Sequence, residues 1–406
     1  MKYKIKQLLI FFHLCIAVVP IYLWKHKKTI KFIIKKLGFK AAYRYLLVKL
    51  FARAEDSGKS ILDPLWKISP QLVFYPFTLE IEVTTKCNLR CIMCEHTYWQ
   101  KDEWDNRDLS FEDFKRIVDQ FPNLIWINLT GEGSPFLNKD YLRMIEYVKS
   151  RLIFTVVIDS FTWLDEKVAR QLIKLGVDKV RVSIDAATKE TYKKIRVGAN
   201  FDRVMENIKN FIQLKKEMNS LIPELDFVYI VFKPNYQEII QFIEMVGSLE
   251  DRRWLAERNV IQFVSLLEFD QIKDMVYEPP QALQWAVLKK GEELGIQIVW
   301  CHPSHQPQKK PPLEECIYWT EPYIMMGGYV VPCCGVLMSN NRAFLRKYSF
   351  GNILEKPFKE IWNSKRYRQF RKMVLNDRGM VPFLCKGCRT FDTTCRERRF
   401  GVSMRI

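Results

Sequence analysis

Between residues 75 and 270 the chain switches repeatedly between two hydrophobic periods. Phe77–Val83 (F-T-L-E-I-E-V) alternates apolar and polar positions and predicts a strand. Ser110 with Asp113 makes a capping-box signature, and Phe114, Ile117, Val118 and Phe121 follow at i, i+3, i+4 and i+7. Leu124–Leu129 predicts a second strand and Tyr141 to Val148 a second helix. Leu152–Ile158, Lys179–Ile184, Phe227–Phe232 and Val260–Leu266 are four further strands. Helical patterns at 165–175, 203–217 and 236–247 separate them, and Gly176 stands where a helix C-cap belongs. Strands alternating with helices imply a parallel sheet of the α/β class. Six βα units in about 190 residues fit an open, partial (β/α)6 barrel, because a closed eight-stranded one takes about 250 residues.

Outside this stretch the pattern changes. Pro303, Pro307, Pro311 and Pro312, with Lys309 and Lys310 among them, mark a joint. The expected organisation is a helical extension over 1–70, a barrel over 75–300 and a Cys-rich unit over 313–406. The extension is basic: residues 1–60 hold 14 Lys or Arg against Glu55 and Asp56, a net +12 of the chain's +18. The charge is therefore local, no nucleic-acid motif accompanies it, and a nucleic-acid partner is not expected. Leu8–Trp24 is a 17-residue uncharged run between Lys2, Lys4, Lys6 and Lys25, Lys27, Lys28. It is short of the roughly 20 apolar residues of a spanning helix, and His13 and Pro20 weaken it. A membrane span, a peripheral helix on anionic lipid and a plain packed helix all remain open for it. Phe39–Arg53 mixes apolar and basic residues at roughly helical spacing, which suits attachment to the cytoplasmic face of a membrane.

Eleven cysteines cluster at metal-ligand spacings and not as a disulfide framework, which points to a reducing, cytoplasmic setting. Thr84–Cys94 reads T-T-K-C-N-L-R-C-I-M-C, with Cys87, Cys91 and Cys94 on a short loop leaving the first strand. Three thiolates grip three corners of a cubane cluster and leave the fourth iron open to a small molecule, whereas four-ligand clusters mostly transfer electrons. The competing readings are a zinc site completed by His96 and three unrelated buried cysteines.

The loop resembles the signature of the radical S-adenosylmethionine superfamily, C-x3-C-x2-C after the first barrel strand. The resemblance extends to Thr130-Gly131-Glu132-Gly133-Ser134-Pro135 after the second strand, where the family carries a G-G-E-P-like turn that holds the cofactor's amino group; the first Gly is Thr130 here. It extends to Ser183 and Asp185 in V-S-I-D, where the family places ribose-binding polar residues. Arg196, 13 residues past Ser183, falls where an arginine pairs with the cofactor's carboxylate. Met93 stands at a usually aromatic position that contacts adenine. The third strand ends Ile158-Asp159-Ser160-Phe161 in place of the frequent T-N-G. Taken alone, Glu132 reads as a loop carboxylate, Ser183 and Asp185 as a capping pair, and Arg196 as part of a solvated face.

The C-terminal unit resembles the SPASM or twitch extension of the same superfamily. The matching elements are Cys316, Gly328-x4-Cys333, Gly351-Asn352-Ile353, Ile361-Trp362 and Cys385-x2-Cys388. Because the expected final cysteines are missing, the resemblance implies one auxiliary 4Fe–4S cluster on Cys316, Cys333, Cys385 and Cys388. A four-cysteine zinc ribbon is the alternative. Cys301, Cys334 and Cys395 read as spectators and Cys15 as a small hydrophobe.

Together the resemblances imply an enzyme that reductively cleaves S-adenosylmethionine to a 5′-deoxyadenosyl radical and takes a hydrogen atom from its substrate. The auxiliary cluster then assists oxidation. A flavodoxin or ferredoxin donor is implied, and Lys365–Lys372 (K-R-Y-R-Q-F-R-K) reads either as its dock or as a solvated helix face. With no leader-binding pattern in 1–70, the expected substrate is a small or lipid-linked molecule. A peptide is the alternative, and an iron–sulfur electron carrier or a zinc-binding module the alternative of another class.

Overall fold

The structure, a computed structural model, describes residues 76–99, 102–251, 259–266, 270–300, 320–338, 340–376 and 382–385, with scattered helical positions between 24 and 46. Nine strands form one sheet: β1 (Thr78–Glu82), β2 (Trp126–Thr130), β3 (Phe154–Asp159), β4 (Lys179–Ser183), β5 (Glu224–Val231), β6 (Val260–Ser265), β7 (Gln297–Trp300), β8 (Tyr323–Met325) and β9 (Tyr329–Val331). Their order is β7-β6-β5-β4-β3-β2-β1-β8-β9, parallel throughout except for the β8–β9 hairpin. The helices between strands are α1 (Phe111–Val118), α2 (Tyr141–Ser150), α3 (Glu166–Leu175), α4 (Lys189–Ile195), α5 (Phe201–Glu217), α6 (Ile239–Gly247) and α7 (Gln281–Glu293). Then α8 (Arg342–Lys347), α9 (Phe358–Trp362) and α10 (Lys365–Asn376) follow β9.

The six anticipated strands all form, and the local signals act as their chemistry dictates. Ser110 caps α1 by accepting from the Asp113 amide at 3.1 Å. Gly176 ends α3 at φ +70°, a left-handed turn that glycine adopts without steric cost. The sheet is nonetheless longer than six strands. β7 has only four residues, too few for a periodic signal, and α7 carries a weak apolar stripe (Q-A-L-Q-W-A-V-L-K-K-G-E-E).

The joint near residue 300 does not end the sheet, because β8 pairs in parallel with β1, Glu80 opposite Tyr323 and Ile81 opposite Ile324. The C-terminal unit thus extends the barrel sheet past its first strand. Its β8–β9 turn uses Gly327 and Gly328, both near φ +88°. A Cβ on Gly327 would lie 2.7 Å from the Trp104 ring, so the turn seats on the segment that follows the cysteine loop. Phe358 packs against Phe121 at a ring distance of 4.4 Å, which joins α9 to the end of α1.

Alternation along the strands sends Leu79, Ile81, Ile127, Leu129, Val157, Val180, Val182, Phe227 and Phe263 to the helices, where they form the main core. The opposite face is polar: Glu80, Asn128, Lys179, Arg181, Asp226 and Gln262 lie on it. Lys179 Nζ meets Asp226 Oδ2 at 2.6 Å there.

At the base of this face Ile30, Ile34 and Ala42 of the N-terminal segment pack on Phe154, Val156, Trp126 and Ile222. Of the N-terminal expectations, only positions from Trp24 onward fall within the described residues; there the apolar positions at 30, 34 and 42 turn toward the barrel. Trp24, Phe39 and Tyr43 stay exposed. No helix among the described residues is long and apolar enough to cross a membrane.

The basic helix α10 is only partly a solvated face. Arg371 is buried with its guanidinium 4.3 Å from the Trp362 ring and donates to the Trp362 carbonyl at 2.8 Å. Arg366 binds the Ser349 carbonyl at 2.8 Å. Lys365, Arg368 and Lys372 remain exposed.

Glu238, just before α6, holds α4 in place. Its carboxylate accepts from the Ala187 and Thr188 amides at 2.7 and 3.1 Å, from the Thr188 hydroxyl at 2.6 Å, and from the Thr191 hydroxyl. Partial burial alone would raise its pKa, but these bonds to the charged form hold it below the ordinary glutamate value. A depressed pKa contributes stability that is present above the unfolded glutamate value and lost as pH falls through the folded one. Glu238→Gln is therefore expected to cost about 1 kcal/mol at neutral pH. Urea unfolding should show that difference shrinking in acid, and a pH-independent difference would exclude the carboxylate as its source.

Candidate active site

The cysteine loop leaves the C-terminal end of β1, and neighbouring backbone fixes its path. The Arg90 amide donates to the Val197 carbonyl and the Ile92 amide to the Ile195 carbonyl, both at 2.9 Å, which ties the loop to the end of α4. Thr97 Oγ1 caps the Cys91 carbonyl at 2.7 Å and the Tyr98 hydroxyl the Ile92 carbonyl at 2.9 Å. The turn after β2 closes the other side, with the Ser134 amide on the Lys86 carbonyl at 2.7 Å. Gly133 is required there: a Cβ would meet the Thr84 carbonyl at 2.4 Å and the Lys86 carbonyl at 2.7 Å. Gly131, at φ +142°, sits as tightly on Glu82.

Cys87, Cys91 and Cys94 are free thiols in an apolar nest of Leu89, Met93, Ile195, Phe232, Leu266 and Ile272. Burial pushes all three thiols above their ordinary value, Cys94 furthest, with Glu132 adding to the shift at Cys94. Thiolates at such a place call for a compensating cation. His96 Nε2 engages the Thr85 carbonyl at 2.8 Å, and its Nδ1 is buried with no hydrogen-bond partner among the described residues. Among the described residues no three such side chains converge on a point suited to a single ion. Three thiols spread round an apolar nest, beside a turn whose glycines admit no side chain, fit the corners of a cubane cluster. Met93 spends its side chain on the wall of that nest.

Beyond the thiols the site is built from buried charge. Arg196, 6% exposed, is no solvated residue. Its Nε donates to Asp185 Oδ2 at 2.8 Å and to the Ile184 carbonyl at 3.1 Å, and Nη2 also bonds Asp185 Oδ2. Asp185 Oδ1 accepts from the Ile230 amide at 2.6 Å. Asp185 is fully buried. Its carboxylate fixes Arg196, so a ribose contact at this position would compete with that pair. Ser183, half-buried at the end of β4, keeps a position suited to a ligand. Asp159 links the ends of β2 and β3, accepting from the Phe161 amide at 2.6 Å and from Ser134 Oγ at 3.3 Å. Burial raises its carboxyl to about 6.

Glu132 does not stand alone. Its Oε2 accepts from Arg342 Nη1 at 3.1 Å, and Arg342 Nη2 bonds Glu82 Oε2. Glu95 faces Glu132 within hydrogen-bonding reach. Burial first, and mutual repulsion of the carboxylates next, push Glu132 well above the ordinary value; burial raises Glu95 to about 7. Glu82 Oε1 and Glu95 Oε2 are buried with no partner among the described residues, so the cluster offers acceptors toward the cysteine loop. Thr130 Oγ1 lies 3.4 Å from the Gly131 carbonyl. Sequence reading passed over Glu82, Glu95 and Arg342. Glu82 looks like any strand residue, and Arg342 lies 210 positions from Glu132 in a helix of ordinary composition.

In the C-terminal unit Cys333 lies in a buried cluster with Val331, Val336, Leu337, Leu345 and Leu384, while Cys385 is buried in the main core. Cys316 and Cys388, like Cys15, Cys301 and Cys395, lie outside the described residues. Cys334 packs against the same cluster as Cys333; burial, and then the Glu80 carboxylate that it hydrogen-bonds, push its thiol well up.

Residues 81–246 match the family described as the radical SAM superfamily, and residues 316–389 match an iron-sulfur cluster-binding domain of the SPASM type. Over 317 residues the chain is 27% identical to the tungsten-containing aldehyde ferredoxin oxidoreductase cofactor-modifying protein of Pyrococcus furiosus, covering 73% of this chain and 84% of that protein. It is 33% identical over 174 residues to a probable GTP 3′,8-cyclase of Saccharolobus islandicus, covering 42% and 53% respectively. Among solved structures, Streptococcus suis SuiB bound to S-adenosylmethionine superimposes with a TM-score of 0.60 at 16% identity, over 87% of this chain and 80% of that one.

Proposed function

Because the chain belongs to the radical SAM superfamily and carries an iron-sulfur cluster-binding domain, we propose that this enzyme cleaves S-adenosylmethionine reductively and abstracts a hydrogen atom from a hydrophilic small molecule. When bound, a 4Fe–4S cluster and S-adenosylmethionine supply an electron and a 5′-deoxyadenosyl radical. The chain's own residues bind and orient. Cys87, Cys91 and Cys94 hold three irons. Thr130, Gly131 and Glu132 receive the cofactor's amino group, Ser183 its ribose and Arg196 its carboxylate, while Met93 flanks the adenine. Cys316, Cys333, Cys385 and Cys388 would hold the auxiliary cluster, which would supply a one-electron acceptor.

The observation that carries this reading is the seating of the T-G-E-G-S-P turn on the cysteine loop, through the Ser134–Lys86 bond and the close approach of Gly133. An electron carrier needs no such turn. The polar strand face, with Lys179, Arg181, Asp226 and Gln262, supports a hydrophilic substrate over an apolar one. The test is anaerobic reconstitution with iron and sulfide, then dithionite standing in for a flavodoxin- or ferredoxin-type donor, with S-adenosylmethionine added. Release of 5′-deoxyadenosine is expected. Protein that holds iron and releases none would leave an electron carrier.

A further inference from the structure

Helix α8 belongs to the C-terminal unit, yet two of its arginines reach into the barrel's mouth. Arg342, its first residue, is 6% exposed and forks between two carboxylates: Nη1 to Glu132 Oε2 at 3.1 Å and Nη2 to Glu82 Oε2. Its guanidinium lies 4.1 Å from the centre of the Trp99 ring. Glu82 Oε2 also accepts from the Met326 amide at 2.7 Å, so the fork is anchored to the end of β8. One turn later Arg346 pairs with Asp102. The segment following Cys94 is thus held by two points of one helix, at Trp99 and at Asp102. From the same helix Leu345 enters the buried cluster that contains Cys333. A displacement of α8 therefore moves the Glu132 carboxylate and the surroundings of Cys333 together.

We propose that Arg342 is a positioning residue: through it the C-terminal unit aims the Glu132 carboxylate at the amino group of S-adenosylmethionine, which couples docking of that unit to capture of the cofactor. This rests on the reading of Glu132 as the group that receives the amino group. A planar guanidinium that bridges two carboxylates fixes the orientation of both, which a single ammonium does not. With Oε2 of Glu132 held, the orientation of its carboxylate is fixed. Coupling between sites is reciprocal, so the cofactor must also tighten α8.

Two measurements test this on anaerobically reconstituted full-length protein. In the wild type, hydrogen exchange of the amides at 342–347 is expected to slow when S-adenosylmethionine binds; unchanged exchange would overturn the proposal without any variant. Equilibrium dialysis then compares wild type, Arg342→Met, Arg342→Lys and Glu132→Gln, with iron content measured on each. Arg342→Met is expected to weaken cofactor binding by about tenfold. Its KM for S-adenosylmethionine should rise by the same factor while kcat falls less, and Arg342→Lys should recover part of the loss. If Glu132→Gln binds the cofactor as the wild type does, the reading of Glu132 fails and the proposal with it. If Glu132→Gln binds weakly and Arg342→Met binds normally, only the positioning role fails. Should Arg342→Met lose its iron, the wild-type exchange decides.

Discussion

Cys94→Ala is expected to abolish release of 5′-deoxyadenosine and to lower the iron content by about four atoms per chain, one cubane cluster. The Cys94 thiol is the one of the three that burial pushes furthest up, in an apolar nest beside Glu132. Among the described residues the nest holds no thiol besides Cys87 and Cys91 that could replace it. Cys385→Ala gives the contrast. It should also lose about four irons while still releasing 5′-deoxyadenosine in the absence of substrate, because Cys385 is buried in the main core and is not among the residues of the nest. Iron, zinc and sulfide analysis beside a chromatographic assay for 5′-deoxyadenosine reads both variants. Full activity in Cys94→Ala, or zinc in place of iron in the wild type, would remove the basis for radical chemistry at this loop.

Asp185→Ala is expected to destabilise the fold by about 3–5 kcal/mol, the usual cost of leaving a buried charge unpaired. Arg196 is 6% exposed and its Nε and Nη2 both rest on Asp185 Oδ2, while Oδ1 ties the Ile230 amide. Asp185 itself stands at φ +64°, a left-handed conformation that an aspartate tolerates better than most side chains. Asp185→Asn keeps the shape and one acceptor, so it should cost less than the alanine variant. Urea unfolding measures the difference, and cofactor binding measures the second consequence: an arginine released from its partner no longer holds its remaining donor toward a carboxylate. Wild-type stability in Asp185→Ala would show that Arg196 finds its counter-charge elsewhere.

Much of the site is written in short-range signals. Three thiols within eight residues must be close whatever the fold. Gly133 is demanded by backbone approaches of under 3 Å that admit no side chain, and Gly131 by its φ of +142° with Glu82 packed against it. The strand and helix periods likewise report which face of each element is buried, so the parallel sheet and the capping of α1 and α3 follow from neighbours a few residues apart. The roles of Asp185 and Arg196 were less legible. V-S-I-D and an arginine 13 residues later are consistent with two separate ligand contacts, and only the turn of β4 into α4 brings the two side chains into one buried pair.

The sequence by itself determined the elements, their parallel order, the two cysteine groups and the turn that accompanies the first of them. Each depends on periodicity or on contacts close along the chain. Tertiary structure alone decided that β8 continues the barrel sheet beside β1, that the inner strand face is polar, and that Arg342 reaches Glu82 and Glu132 across 260 and 210 positions. No local pattern encodes such contacts, because a charged residue on a short helix looks the same whether it meets water or a buried carboxylate. What separates the two is which surface the chain brings against it, and that is settled only when the whole sheet closes around β1.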